Sequence, residues 1–463
     1  MPSRRVVRFG DAPQRTPLFL TVQMSLYQGP GLSRREIAAL LAEARGRTRL
    51  LVEALTRDEL EAQHSPLMSP IVWDLGHIGH FEEVWLLENL DTGGAGSEGL
   101  RGIFNPFNTP RASRGDLDLP SLAECFRYQD EVRDAVLARL DSGDVPSGSD
   151  LLRDGYVYRM VAQHEYQHNE TILQTLQLKS GSPYPAARGY RPPDPASPVA
   201  ADGHMVRFPG GTVSIGTDDR SAAYDNERNR HDVDLPPFWI DATPVTNGAY
   251  LEFIEAGGYS NQSSWSDEGW DWRETEGADA PLYWTRRDGV WEERVLDRIR
   301  AVDPDRPVCH VCYHEAAAFA EFAGKRLPTE QEWEAAASWN PIDGRALLFP
   351  WGDTDPTPVH ANLDVLAFDT AATWSYPLNI SPIGCYGMIG DVWEWTSSDF
   401  LPYPGFEAFP YQEYSEVFFG DEYKVLRGGS WATRPGAIRT TFRNWDYPIR
   451  RQIFSGFRCA RDD

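Results

Sequence analysis

The sequence predicts a two-domain α+β protein: an N-terminal four-helix bundle followed by a loop-rich mixed domain. Three observations carry that expectation. Residues 33–179 hold four apolar stretches that repeat at helical spacing. Residues 180–204 contain six Pro and three Gly with no periodicity, which reads as a linker. From 205 to 463, short alternating runs and abundant Gly, Trp and Pro replace the helical pattern. A chain of 463 residues is also too long for one ordinary core.

In chain order, residues 1–32 read as a polar, Pro-containing extension, poorly ordered or draped on the body. The first helix opens at Ser33 with Glu36 three residues on, a capping box. Ile37, Leu40, Leu41 and Ala44 then recur on one face. A second helix, Pro70–Asn89, carries His77 and His80. Residues 91–120 are rich in Gly, Pro and Asn and read as a long loop. Ser121–Leu140 has an acidic start at Glu124 and apolar Val132, Val136 and Leu140. Leu151–Leu178 is the fourth helix and holds His164 and His168. Beyond the linker, Val206–Gly216 alternates as strand does, while Tyr313–Gly324 and Thr329–Trp339 read as helices. Such an order fits an irregular α+β domain better than regular βαβ units.

Composition narrows the function. A net charge of −25 argues against nucleic acid and anionic membranes as partners. Lys occurs only at 179, 325 and 424, so there is no polybasic tract. No run of 18 apolar residues suggests a membrane span, and Arg4, Arg5 and Arg8 precede no signal-like apolar core. Five Cys do not make a disulfide framework, so a reducing cytoplasm is expected. The Cys309–Cys312 pair has no second pair to complete a zinc site and reads as two small buried residues at a strand end.

The stretch Gln163-His-Glu-Tyr-Gln-His-Asn-Glu-Thr171 carries the strongest chemical signal. His164 and His168 are four residues apart, so on a helix both rings leave one face about a turn apart. A third imidazole from the second helix, His77 or its competitor His80, would complete a metal site inside the bundle. Glu165 and Glu170 flank the pair but share no face with both histidines, which favours three His over two His and a carboxylate. Three neutral imidazoles suit Zn, Fe, Cu or Ni. Zinc would complete a tetrahedron with one water, whereas six-coordinate Fe(II) would have room for two organic ligands and dioxygen. The plainer alternative is a set of satisfied core histidines.

A second constellation is C-terminal, from Val425-Leu-Arg-Gly-Gly-Ser-Trp431 through Arg439–Arg451 to Gly456-Phe-Arg458. Arg450 could fork onto a carboxylate, Asp446 could hold an ammonium, and Trp445 could face a quaternary ammonium. A domain core stapled by buried Arg–Asp pairs explains the same residues. Arg111 and Arg114 form a third basic spot in the long loop, for which a solvated surface is the alternative.

Six motifs then fall in a known order. They are Val206-Arg-Phe-Pro-Gly-Gly211, Pro244-Val-Thr-Asn-Gly248, Arg326-Leu-Pro-Thr-Glu-Gln-Glu-Trp-Glu334, Phe349-Pro-Trp-Gly352, Gly390-Asp-Val-Trp-Glu-Trp-Thr396 and Leu426-Arg-Gly-Gly-Ser-Trp431. Together they resemble the formylglycine-generating-enzyme-like domain, a variant of the C-type lectin fold. The N-terminal half resembles a DinB-like four-helix bundle. The combination resembles the ergothioneine-biosynthesis sulfoxide synthases, the EgtB family, over nearly the whole chain from residue 33.

That resemblance implies a non-haem Fe(II) enzyme. It would couple C2 of hercynine (trimethylhistidine) to the sulfur of γ-glutamylcysteine or cysteine with dioxygen, leaving a sulfoxide. Carried over, His77, His164 and His168 match the iron ligands, and Gln167 matches a hercynine contact. Asn444 and Trp445 match the residues holding the hercynine carboxylate and trimethylammonium. Asp446, Arg450, Arg111 and Arg114 match the thiol-substrate residues. Tyr411 matches the catalytic tyrosine and Tyr414 its neighbour. Tyr166 departs from the family pattern, which has Asn between the two ligands. Cys309 and Cys312 do not match the copper pair of true formylglycine-generating enzymes. Selenoneine synthases and ovothiol-type sulfoxide synthases are the enzyme alternatives, and a non-catalytic, zinc-stabilised ligand-binding protein is the alternative of another class.

Overall fold

The computed structural model describes residues 31–90, 98–143, 149–179, 183–186, 190–195 and 203–463. Nearly all of the expected N-terminal extension, and much of the 180–204 linker, lie outside the described residues. The helical part comprises α1 (Arg34–Val52), α2 (Arg57–Glu61), α3 (Ile71–Leu86), α4 (Glu98–Phe104), α5 (Leu122–Ser142) and α6 (Tyr156–Leu178). The four long helices are those read from the apolar spacing. α1 and α5 both begin at capping boxes: the Ser33 and Ser121 hydroxyls accept from the backbone N–H of Glu36 and Glu124, whose carboxylates reach back. α3 packs on α5 and α6, and α1 lies along α6. Ion pairs cross the bundle interior: Arg45 Nε meets Glu165 at 2.9 Å, and Glu82 binds both Arg45 at 2.8 Å and Arg133 at 2.6 Å.

Three boundaries differ from expectation. The second helix ends at Leu86 and passes into a 3₁₀ turn, Glu88–Leu90. The fourth starts at Tyr156, because Asp154 and Gly155 take left-handed φ of 54° and 75° and break the run from Leu151. The stretch 91–120 is not simply a loop: it contains α4 and a 3₁₀ turn at Arg111–Asp116. What orders α4 is a fit to α3. The Phe104 ring is fully buried against Gly76, where an added Cβ would stand 2.0 Å from it.

The C-terminal part runs β1 (Met205–Phe208), β2 (Gly211–Ile215), β3 (His231–Leu235), β4 (Phe238–Asp241), α7 (Asn247–Glu255), α8 (Asp267–Glu276), β5 (Trp284–Arg287), β6 (Val290–Val295), β7 (Arg298–Ala301), α9 (Tyr313–Phe322), α10 (Glu330–Ser338), β8 (Trp339–Asn340), β9 (Arg345–Ala346), β10 (Trp393–Phe400), β11 (Gly420–Arg427), β12 (Asn444–Asp446), β13 (Ser455–Gly456) and β14 (Ala460–Asp462). Among the described residues its largest sheet has the order β12-β11-β10-β13, antiparallel except for β10 with β13. A three-stranded sheet, β1-β4-β14, brings the chain end back beside its start. The expected arginine staples exist, but their partners are Glu rather than Asp. Arg427 pairs with Glu334, Arg439 with Glu227, Arg443 with Glu330, Arg451 with Glu315 and Arg458 with Glu394. Cys312 stands at the N-terminus of α9, not at a strand end; it and Cys309 are free thiols.

α6 joins the two parts through a polar stripe. Gln163 Nε2 donates to the Ala222 carbonyl at 3.0 Å and its Oε1 accepts from Arg439 at 3.1 Å. Glu170 accepts from Trp393 Nε1 at 2.8 Å, Ser430 at 2.6 Å and Thr433 at 2.7 Å. Gln177 donates to the Arg294 carbonyl at 2.8 Å and accepts from the Leu296 N–H at 2.6 Å. Replacing Gly76 by Ala would set a methyl group into the Phe104 ring. Urea unfolding of Gly76→Ala should show a loss of about 1–3 kcal/mol; an unchanged midpoint would mean that α4 does not depend on this contact.

Candidate metal centre and the cleft around it

The three expected histidines meet. His77 comes from α3 and His164 and His168 from α6, and one ligand-capable atom of each lies within 4.8 Å of the others. His80 is not in this group; its ring centre is 6.5 Å from that of His77. Neither flanking glutamate is available. Glu165 is held by Arg45 and by the Thr48 hydroxyl at 2.6 Å, and Glu170 by the other domain.

Each ring is oriented by a neighbour. His77 Nδ1 lies 2.9 Å from the Phe104 carbonyl, so it carries the proton and leaves the Nε2 lone pair for a metal. His168 Nδ1 lies 3.3 Å from Asp74 Oδ1, within ion-pair distance but outside hydrogen-bond geometry, so the carboxylate stands behind the ring where a metal ligand commonly has one. The His164 ring lies flat on Phe81, with centres 3.6 Å apart. Burial, and after it the neighbouring imidazoles, hold His77 and His164 well below the ordinary histidine range. Neutral, converging imidazoles are the metal-binding form, and this donor set fits a divalent first-row ion.

Beside the histidines lies an arginine cluster. The Trp73 ring stacks on His77 with centres 4.9 Å apart, and the Arg114 guanidinium sits 3.5 Å above Trp73. Arg114 is buried and donates to Ser69 Oγ at 2.9 Å and to the Thr109 and Pro106 carbonyls. Burial, with Arg111 nearby, lowers its pKa to about 10. Arg450 is also buried. It donates to the Leu67 carbonyl at 3.0 Å and to Met68 Sδ, and its Nε is 3.5 Å from Asp446. Arg111 reaches the same Leu67 carbonyl at 3.4 Å and is otherwise exposed. Three guanidinium groups therefore gather around one short loop, with Asp446 at their edge. A solvated surface describes Arg111 but not Arg114.

The tyrosine loop closes another side. Tyr411 packs 4.8 Å from Trp85 and 6.3 Å from Phe81, the ring that carries His164. Tyr414 stacks on Tyr224 at 4.3 Å and accepts a hydrogen bond from Gln167 Nε2 at 3.3 Å. Burial pushes both phenols well above their usual range, which keeps them protonated. β12 carries Asn444, Trp445 and Asp446 in succession; Trp445 is half-buried. Its ring stacks on Phe400 at 4.1 Å and lies 5.8 Å from Tyr414. Tyr166 is turned away from the histidines: its hydroxyl donates to Glu43 at 2.6 Å and its ring lies under Arg434.

Sequence reasoning did not single out Asp74, Phe81, Phe104 or Tyr224. Asp74 had a signal, since it lies three residues before His77 on the same helical face. The Phe104 carbonyl is backbone and has none.

Residues 40–172 match the DinB superfamily, and residues 193–463 match the sulfatase-modifying factor enzyme 1-like domain. Fold and site thus define a class: a DinB-type bundle carrying a three-histidine centre, joined to a sulfatase-modifying-factor-type domain. Over its length the chain is similar to proteins named hercynine oxygenase. It is 44% identical to that of Mycobacterium tuberculosis, covering 93% of this chain and 99% of the relative. It is 45% identical to that of Mycolicibacterium thermoresistibile, covering 93% and 95%. The Mycolicibacterium smegmatis protein is 43% identical, with 93% and 100% covered. The chain belongs to the hercynine oxygenase family. Among the described residues no helix is long and apolar enough to cross a membrane.

If Asp74 orients His168, Asp74→Asn should weaken divalent-metal binding roughly 10–100-fold in a direct titration. Unchanged affinity would show that His168 holds its place without the carboxylate.

Proposed function

We propose that this protein is a hercynine-acting sulfoxide synthase of ergothioneine biosynthesis, using Fe(II) and dioxygen with γ-glutamylcysteine as the thiol. The carrying observation is the adjacency of the His77–His164–His168 group to the Arg111–Arg114–Arg450–Asp446 cluster, in a chain of the hercynine oxygenase family. In the proposed reaction the thiol S–H and the hercynine C2–H are lost and a C–S bond forms. One oxygen atom goes to sulfur and the other leaves as water, so dioxygen takes up four electrons.

Iron at the three histidines would supply the redox chemistry of dioxygen and acidify a thiol bound beside it. The remaining work belongs to the protein. Arg111, Arg114 and Arg450 offer three cations and Asp446 one anion, a count that suits a thiol with two carboxylates and one ammonium. γ-Glutamylcysteine has both carboxylates, whereas cysteine has one. Asn444 and Trp445 would take the carboxylate and trimethylammonium ends of hercynine, and Gln167 its imidazole. Tyr411, kept neutral by burial, holds a proton at its phenol oxygen for delivery into the site. These residues come from both domains, and a junction between domains is a usual place for a small-molecule pocket.

Reconstitution with Fe(II) under anaerobic conditions, then oxygen uptake with hercynine and each thiol, tests the reading by product mass. Sulfoxide should form fastest with γ-glutamylcysteine; a zinc-bound protein with no oxygen uptake would sink it. Tyr411→Phe should divert product toward the thiol sulfinate, and an unchanged sulfoxide yield would remove Tyr411 from proton delivery.

A further inference from the structure

We infer that Tyr224 is a positioning residue of this site: its hydroxyl fixes the orientation of the Gln167 amide and, through it, the direction in which the Tyr414 hydroxyl hydrogen-bonds. The inference rests on the functional reading above and adds a residue from outside the bundle.

Tyr224 lies between β2 and β3, in a stretch without apolar periodicity. It is buried beneath the tyrosine loop, its ring 21° from parallel with that of Tyr414. Its hydroxyl donates to Gln167 Oε1 at 3.2 Å, and Gln167 Nε2 donates to the Tyr414 oxygen at 3.3 Å. These contacts form a chain with one polarity. The two ends of an amide are nearly equal in shape but opposite in hydrogen bonding. Here Tyr224 donates to the oxygen end, and the NH₂ end faces Tyr414. With an N–H bonded onto its oxygen, Tyr414 keeps its own hydrogen for another partner. Without the Tyr224 hydroxyl the amide is free to turn, and an oxygen facing Tyr414 would draw that hydrogen away. Gln167 stands between His164 and His168 on α6, so its orientation is set at the edge of the metal centre.

The next two residues hold the same loop. Asp225 accepts from the Phe409 N–H at 3.1 Å and from the Ser415 hydroxyl, one residue at each end of the segment bearing Tyr411 and Tyr414. Asn226 Nδ2 donates to Ser415 Oγ at 3.0 Å. Residues 224–226 thus anchor the loop and orient the hydrogen-bond chain that runs to it.

Tyr224→Phe keeps the stacked ring and removes only the hydroxyl. In the Fe(II)-loaded enzyme, kcat for sulfoxide formation should fall about tenfold with thiol KM unchanged, and more of the oxygen consumed should appear as sulfinate. Adding Tyr224→Phe to a Gln167→Leu background should change nothing further, because the chain is already cut. Hercynine affinity by calorimetry reads the same coupling without turnover, weakening in the first background and not in the second. The inference is overturned if Tyr224→Phe matches the unsubstituted enzyme in kcat, product ratio and affinity. An equal loss in both backgrounds, or a lowered melting temperature with kinetics intact, overturns it as well. Failure of the unsubstituted protein to turn over hercynine would instead sink the functional reading itself.

Discussion

The constraint that organises this protein is the burial of α6 on nearly all sides while it carries polar residues on three faces. A polar group taken from water without a partner costs several kcal/mol by the harsher measures, so each face must be matched by something specific. Glu165 and Asn169 turn to α1, where Arg45 and Thr48 receive them. His164 and His168 turn to α3 and meet His77. Gln163, Gln167, Glu170 and Gln177 turn to the C-terminal domain, whose backbone and side chains complete them. The helix that holds two of the three histidines is therefore also the helix on which the second domain docks. The contact between the domains and the three-histidine group share one origin.

The many buried arginines divide on this basis. Those with a glutamate partner, such as Arg439 and Arg443, are structural, since a buried guanidinium is tolerated only when its charge is met. Arg114 and Arg450 are buried without such a firm partner. Arg114 is met by carbonyls, a hydroxyl and the face of Trp73, and Arg450 has Asp446 only at 3.5 Å. On the functional reading proposed above, these two cations would be open to a substrate carboxylate. The same sorting explains why residue type alone could not separate pocket from core in the segment 439–451.

What was legible in the sequence was what is local or periodic. The capping boxes at Ser33 and Ser121 and the His-x-x-x-His spacing need only a few residues to be read, and each has its counterpart in the fold. The polar stripe of α6 was present at 4-3-7 spacing, but its meaning depends on carbonyls and side chains from another domain. α4 was missed because its order comes from a ring seated against Gly76, a fit between distant segments. Tyr166, which departs from the family pattern, is accounted for by Glu43 and Arg434, both far away in the chain. The ring stack of Tyr224 on Tyr414 links residues 190 positions apart and leaves no periodic trace.

α4 and the turn after it tie two kinds of chemistry to one stretch of chain. Phe104 lends its carbonyl to His77, and ten residues later Arg114 rests on Trp73, which rests on the same imidazole. On the proposed function, an exchange of this stretch that admitted a different sulfur donor would also disturb the carbonyl partner and the stacked ring of the His77 imidazole. Donor range and metal character would then be inherited together, so divergence in one would carry the other along, and a graft meant to alter only recognition would alter reactivity as well.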